Sequence, residues 1–397
     1  MRPALSRLVR AAVATALCAV APVGVPSGAA AAEGPVALPA VKSRLEDGES
    51  CAKESGTKAV DQPWTRQALG LDRSWQLSMG ADVTVAVLDT GVGNDVPGLS
   101  GRVASVDGAG STADCVGHGS FAAGLIAAEP IGGTGVVGVA PRARILAVPV
   151  TGESGDTTPQ LVAQGIRRAV DAGADVVYVA HAFRGGREEL TAAVEHATER
   201  DVLVVAPAAP DVAPTDPGTG QPDPIARPYF PAFIPQVLSV MDHGPGGARP
   251  ESAPEAFAPD LSAPGDEVVS VGPRGAGHYI GSGSSLAAAG AAGAAALVRD
   301  RYPELTVAEV SRRLQGAAYP ASVPVLDPFA ALSIVLPAQQ APLPGPGRAR
   351  VAKATPEGPR VRALAIAGGF GALVLLVAAA AVVIPRGRAR SWRPAGQ

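Results

Sequence analysis

The chain has 397 residues, 33 of them basic and 36 acidic, and is 47% hydrophobic but only 4% aromatic. That apolar share excludes an intrinsically disordered chain, and a net charge of −3 gives no whole-chain footprint for nucleic-acid binding. The length suits one large α/β domain with appendages, or two to three smaller domains.

Residues 1–32 begin with Arg2, Arg7 and Arg10, continue through an apolar run broken by Pro22 and Pro26, and end in four alanines. A basic start, a short apolar stretch and a small-residue cleavage site read as a secretory signal peptide ending before Glu33. Export places the remainder in an oxidising compartment. Of the three cysteines, Cys18 lies in the signal, so the mature chain keeps Cys51 and Cys115. An even pair there predicts a Cys51–Cys115 disulfide. Cys115 and His118 could instead form half of a metal site, but no second Cys/His pair at ligand spacing accompanies them.

After an N-terminal extension at 33–78, residues 79–335 alternate short β-branched runs with helical stretches. Strands are predicted at 83–88 (VTVAVL), 145–150, 176–179, 202–206 and 237–240. Thr158-Pro159 opens a helix to about residue 172 that Gly173 closes, and 188–199 reads as another. Thr306 and Glu309 have capping-box spacing for a helix to about 315. This alternation predicts a parallel central sheet with helices on both faces, a three-layer α/β domain.

Three segments carry chemistry. Val85-Ala-Val-Leu-Asp89-Thr-Gly is an apolar strand ending in an Asp and a glycine turn. Gly117-His118-Gly119 puts an imidazole at the mouth of a small-residue helix, with glycines permitting close approach. Gly281-Ser-Gly283-Ser284-Ser285 leads into an Ala-rich helix, whose free N–H groups favour developing negative charge. A serine hydroxyl attacks only when a base takes its proton, and that base needs an acid to hold its tautomer. Asp89, His118 and Ser285 supply that set. The other histidines carry no such pattern: His196 reads as solvated beside Glu195 and Glu199, His243 and His278 lie in Gly-rich loops, and His181, in the segment 179–182, reads equally as loop packing or as part of a substrate-binding strand. The acidic residues show no metal-loop spacing, so no metal or other cofactor is expected.

On these segments the chain resembles the subtilisin-like serine peptidases, and more narrowly the mycosins, membrane-anchored proteases of type VII secretion systems. Asp114-Cys-Val-Gly-His118-Gly, Gly138-Val-Ala-Pro141, Asp260-Leu-Ser-Ala-Pro264-Gly265, Gly283-Ser-Ser285 and Val325-Leu-Asp-Pro-Phe also resemble family motifs. The resemblance implies a subtilisin-like fold in which Asp89 orients His118, His118 is the base and Ser285 the nucleophile. It also implies an oxyanion Asn, and here the chain departs. The matching stretch runs Val204-Val-Ala-Pro-Ala-Ala-Pro210, so Pro210 holds the oxyanion position, or Asp211 if one residue is inserted. The chain's single asparagine, Asn94, lies elsewhere. Pro210 has no donor and an ionised Asp would oppose an oxyanion, so weakened activity is expected. Val179-Ala-His181-Ala182, where the family has a substrate-binding strand, also lacks the Ser-Leu-Gly pattern.

A Pro- and Ala-rich linker at 336–362 precedes 363–384, a charge-free stretch of 22 residues. At about 1.5 Å per residue it spans roughly 33 Å, enough for a bilayer core of about 30 Å. Four arginines follow in a tail at 385–397, which favours a cytoplasmic C-terminus and an extracytoplasmic catalytic domain. Expected partners are therefore protein or peptide substrates, the membrane, and membrane components of a type VII secretion system. The net charge divides unevenly, since residues 33–360 hold 25 basic and 36 acidic side chains. The two readings that follow are a membrane-anchored serine endopeptidase and a catalytically impaired subtilase scaffold.

Overall fold

The structure is a computed structural model that describes residues 37–335, apart from 107–112, 216, 217, 219, 222 and 224, and residues 358–390. The chain divides into two units, residues 1–336 and 337–397. The signal peptide, most of the linker and the end of the tail expected from the sequence lie outside the described residues.

In chain order the first unit contains α1 (Trp64–Ala68), α2 (Leu71–Ser74), β1 (Thr84–Asp89), β2 (Val103–Ser105), α3 (His118–Ala127), β3 (Arg144–Pro149), α4 (Pro159–Asp171) and β4 (Val176–Val179). It continues with α5 (Arg187–Glu199), β5 (Leu203–Pro207), β6 (Leu238–His243), β7 (Leu261–Pro264), β8 (Val268–Val271) and β9 (His278–Gly281). The last helices are α6 (Ser284–Arg301), α7 (Val307–Ala317) and α8 (Pro328–Ser333). Seven strands form one sheet in the order β2-β3-β1-β4-β5-β6-β7. Every pairing in it is parallel. β8 and β9 form a separate antiparallel pair.

Parallel strands are buried on both faces, and the continuous apolar runs of the sequence serve that need. One core packs Val85, Val87 and Tyr178 against α3 and α6, and the other packs Ala86, Leu88 and Val177 against α4 and α5. α6 crosses the centre of the first core with residues 284–298 buried. Its Ala and Gly content lets strands and α3 approach closely. The expected caps form: the Thr158 hydroxyl accepts from Leu161 N at 3.3 Å, and Thr306 N donates to Glu309 at 3.0 Å.

Because the chain passes from β3 to β4 across β1, the strand order reverses at β1/β4. A crevice opens outside the carboxyl ends of strands at such a point, and Asp89 is the last residue of β1. In the second unit a single helix, α9 (Gly358–Ala389), contains the apolar stretch expected at 363–384. Its segment Arg360–Ala389 is long and apolar enough to cross a membrane.

Candidate active site

At the end of β1 the carboxyl group of Asp89 is fully buried and accepts from Thr90 N at 2.7 Å. His118 opens α3, after Gly117 at φ 94°. α3 lies directly on the β1 turn because Gly119 has no side chain: a Cβ there would sit 2.0 Å from the Gly91 carbonyl oxygen. Ser285 lies in the first turn of α6. These three elements bring the three predicted residues together. Asp89 Oδ2 is 2.7 Å from His118 Nδ1, and His118 Nε2 is 3.1 Å from Ser285 Oγ. All three side chains are buried. This is the geometry required for a serine to be activated by an imidazole that a carboxylate orients.

The loop carrying His118 is held by Asp114, whose anchoring role the motif did not reveal. Its buried carboxylate accepts from Thr90 Oγ1 at 2.9 Å, Gly117 N at 2.7 Å, Ser120 N at 2.8 Å and Ser120 Oγ at 2.7 Å. The Cys51–Cys115 disulfide forms beside it. It ties the N-terminal extension to this loop, and Ala52 N donates to Cys115 O at 2.8 Å. The extension also runs beside β9, where Val41 N donates to Ile280 O at 2.8 Å and Ile280 N to Pro39 O at 3.0 Å. Val41 to Arg44 line one wall of a cleft of about 790 Å³ whose other walls include His118, Asp211 and Leu286.

Of the two residues the sequence offers for the oxyanion position, Pro210 and Asp211, the second has its side chain against Ser285. Both residues line a neighbouring cavity. β5 ends at Pro207, and the chain uses one more residue than the ungapped reading allows before it reaches the site. Ser285 N donates to Asp211 Oδ1 at 2.9 Å and Ser285 Oγ donates to Oδ2 at 2.5 Å. His118 Nε2 lies 3.5 Å from the same oxygen. Gly283 makes room, since a Cβ there would be 2.2 Å from Asp211 Oδ1.

The electrostatics follow from burial and these carboxylates. Burial opposes the charged form of Asp89, but the His118 charge and hydrogen bond outweigh it and hold this carboxyl below its ordinary range. Burial likewise opposes the imidazolium of His118, yet Asp89 and Asp211 together raise its proton affinity well above that of an ordinary imidazole. Tyr178, under the site on β4, is raised well above a normal phenol by burial and by the same two carboxylates.

The remaining histidines are structural. His196 Nε2 is 2.9 Å from Asp171 on α4, an exposed contact between two helices. His243 Nδ1 meets Ser262 Oγ at 2.7 Å, and His278 Nδ1 accepts from Ala59 N at 2.9 Å. His181 stacks on Phe183, and burial lowers its proton affinity while Asp89 opposes that shift. Among the described residues no group of three or more His, Cys, Asp or Glu side chains is placed to hold a metal ion.

The chain matches the subtilase family model over residues 80–343. It is 30% identical to Mycosin-3 of Mycobacterium tuberculosis (strain ATCC 25618 / H37Rv), over 92% of this chain and 94% of that protein. Its fold is similar to the structure of MycP3 protease from the type VII (ESX-3) secretion system, with TM-score 0.60 and 28% identity over 74% of this chain and 94% of that one. It is also similar to a chain in the structure of an intact ESX-5 inner membrane complex, with TM-score 0.63 and 26% identity over 88% of this chain and all of that one.

Proposed function

The chain belongs to the subtilase family and, within it, to the mycosins; from that premise we propose that it is a membrane-anchored, extracytoplasmic serine endopeptidase of a type VII secretion system, with low turnover. The observation that carries this reading is the continuous contact from Asp89 through His118 to Ser285, at 2.7 and 3.1 Å. In the reaction, Ser285 Oγ attacks the scissile carbonyl while His118 Nε2 takes its proton. The C–N bond then breaks as His118 returns that proton to the leaving amine, and water resolves the acyl-enzyme by the same route. Asp89 holds Nδ1 protonated, so that Nε2 faces Ser285.

The membrane part of the proposal rests on α9 and on the arginines that follow its apolar core. The arginine cluster favours a cytoplasmic tail, and the signal-like residues 1–32 favour export of the catalytic unit; both support the proposed orientation. The secretion part rests on the similar structures, one a protease of an ESX-3 secretion system and one a chain of an ESX-5 inner membrane complex. Low turnover rests on Asp211. Replacing an oxyanion donor costs about 10²–10³ in turnover, a figure that comes from a subtilisin's own Asn. Full-length protein in detergent should react with a fluorophosphonate probe at Ser285, and Ser285→Ala should not. Absence of labelling in folded wild-type protein would sink the peptidase reading.

The second reading, an impaired subtilase scaffold that stabilises a membrane secretion complex, is favoured by one observation: a carboxylate occupies the place of the donor. A Ser285→Ala variant that loses secretion while the complex still assembles would count against it.

A further inference from the structure

Ser285 Oγ lies 2.5 Å from Asp211 Oδ2 and 3.1 Å from His118 Nε2, and its one proton can serve only one of the two contacts; donated to an ionised Asp211, it leaves none for His118. The 3.1 Å contact to His118 Nε2 is then a hydrogen bond only if Nε2 itself carries a proton. Nδ1 faces the Asp89 carboxylate at 2.7 Å and must also donate. With both ring nitrogens donating, this arrangement is an imidazolium flanked by two carboxylates. In that state His118 cannot accept the Ser285 proton, and Asp211 offers an oxyanion only lone pairs. Moving one proton from His118 Nε2 to Asp211 Oδ2, across 3.5 Å, reverses both conditions. No proton enters or leaves the site.

We propose that Asp211 is a further catalytic residue, the oxyanion donor of this peptidase, and that it acts as a neutral carboxylic acid. The inference rests on the endopeptidase reading above and extends it. Ser285 Oγ forms its bond to the carbonyl carbon as its proton passes to His118 Nε2. The carbonyl oxygen takes the π electron pair and replaces Oδ1 as acceptor of the Ser285 N–H, while the Asp211 hydroxyl donates to it. Collapse restores the carbonyl, breaks the C–N bond and sends the His118 proton to the amine. Asp211 keeps its proton throughout.

The groups facing Asp211 come from several elements. His118 on α3 and Ser285 on α6 touch it. Asp89, Tyr178 and His181 lie within electrostatic reach through β1, β4 and the turn after β4. Asp242, which is paired with Arg249, and Asp266 line one adjoining cavity, and Lys42, Arg44 and Glu46 line the other. The His118–Asp211 pair is the part of this set that must hold a single proton for catalysis. The competent form has the same proton count as the resting ion pair, so activity is greatest where the pair holds one proton and falls on the alkaline side as that proton leaves. An ordinary Ser–His–Asp site does the reverse, reaching a plateau once its histidine is neutral.

The test is the pH profile, from 5 to 10, of fluorophosphonate labelling and of casein hydrolysis by full-length protein in detergent. Wild type, Asp211→Asn and Asp211→Ala are compared, with circular dichroism as the fold control. Wild type should show a falling alkaline limb. Asp211→Asn, whose amide donates at every pH, should rise to an alkaline plateau about 10²–10³ above wild type, with the gap narrowing toward pH 5. Asp211→Ala should fall below wild type at pH 5–6, whereas a carboxylate that only blocks the site would make this variant faster at every pH. An alkaline plateau in wild type, or a faster Ala variant at pH 5–6, overturns the role of Asp211. Wild type inert at every pH beside an active Asn variant also overturns it, but leaves the peptidase chemistry of the scaffold standing. If folded wild type and folded Asn variant are both inert, the endopeptidase reading falls and this inference with it.

Discussion

Asp89 and Asp211 approach His118 from its two ring nitrogens, at 2.7 and 3.5 Å, and the charge state of the imidazole follows from that flanking. A histidine whose proton affinity is raised in the folded state contributes stability that is fully present below about pH 6.5, the ordinary imidazole value. That contribution is lost as pH rises through the folded value. Asp89 is shifted the other way, so its contribution is present above about pH 3.9 and disappears as pH falls through its lowered value. Thermal melts of the full chain should therefore decline on the alkaline side as His118 loses its proton, and Asp211→Asn should flatten that decline. A melting curve unchanged by this substitution would show that Asp211 does not hold the His118 proton. Asp89→Asn keeps the shape of the site but favours the wrong tautomer, and hydrolysis should fall by about 10⁴ in kcat with the fold retained. Asp89, His118 and Ser285 were legible because each ends or opens an element in a recognisable segment. Asp211 was legible only as an alternative to Pro210, because a single residue of slack after β5 decides which side chain faces the serine.

Between the residues and the fold stand the turns that aim them. The His118 loop converges on Asp114, and Asp114→Ala would leave Thr90 Oγ1, Gly117 N, Ser120 N and Ser120 Oγ without their acceptor. Each buried unsatisfied group costs about 1–3 kcal/mol, so a loss of about 3 kcal/mol or more is expected in chemical denaturation. Gly119→Ala would press a methyl group onto the Gly91 carbonyl, where the obstacle is backbone and cannot rotate away. α3 must then lift from the β1 turn, and both activity and stability should drop, read by labelling rate and denaturation midpoint. Of the elements themselves, β1 and β3 to β6 and helices α4, α5 and α7 were legible from apolar runs and caps. β2 has three residues, β7 ends in a proline, and the β8–β9 pair lies in Gly-rich sequence. Such short segments lack a periodic signal long enough to read, and pairing alone makes them strands.

For the molecule as a whole, the disulfide closes a separation of 64 residues and fastens the extension to the catalytic loop. Loop-closure entropy for that length is on the order of 4 kcal/mol, and measured effects commonly fall between about 2 and 4. Replacing both cysteines by serine should lower the denaturant midpoint accordingly and expose the segment around residues 41–58 to limited proteolysis. Unchanged protease resistance would mean that the hydrogen bonds along β9 hold the extension unaided. Composition alone located the strongly acidic stretch, the basic ends and the long apolar segment, because hydropathy and charge are properties of the chain before it folds. The alternation of strands and helices, and with it the parallel sheet, was determined the same way, since backbone hydrogen bonding and apolar burial act locally along the sequence. The tertiary structure decided that Asp211 and not Pro210 meets Ser285, that the extension lines the cleft, and that Asp114 anchors the loop. These depend on contacts a few ångströms long between residues 24 to 74 or more positions apart, or on the exact path of a turn, and no pattern along the chain encodes such distances.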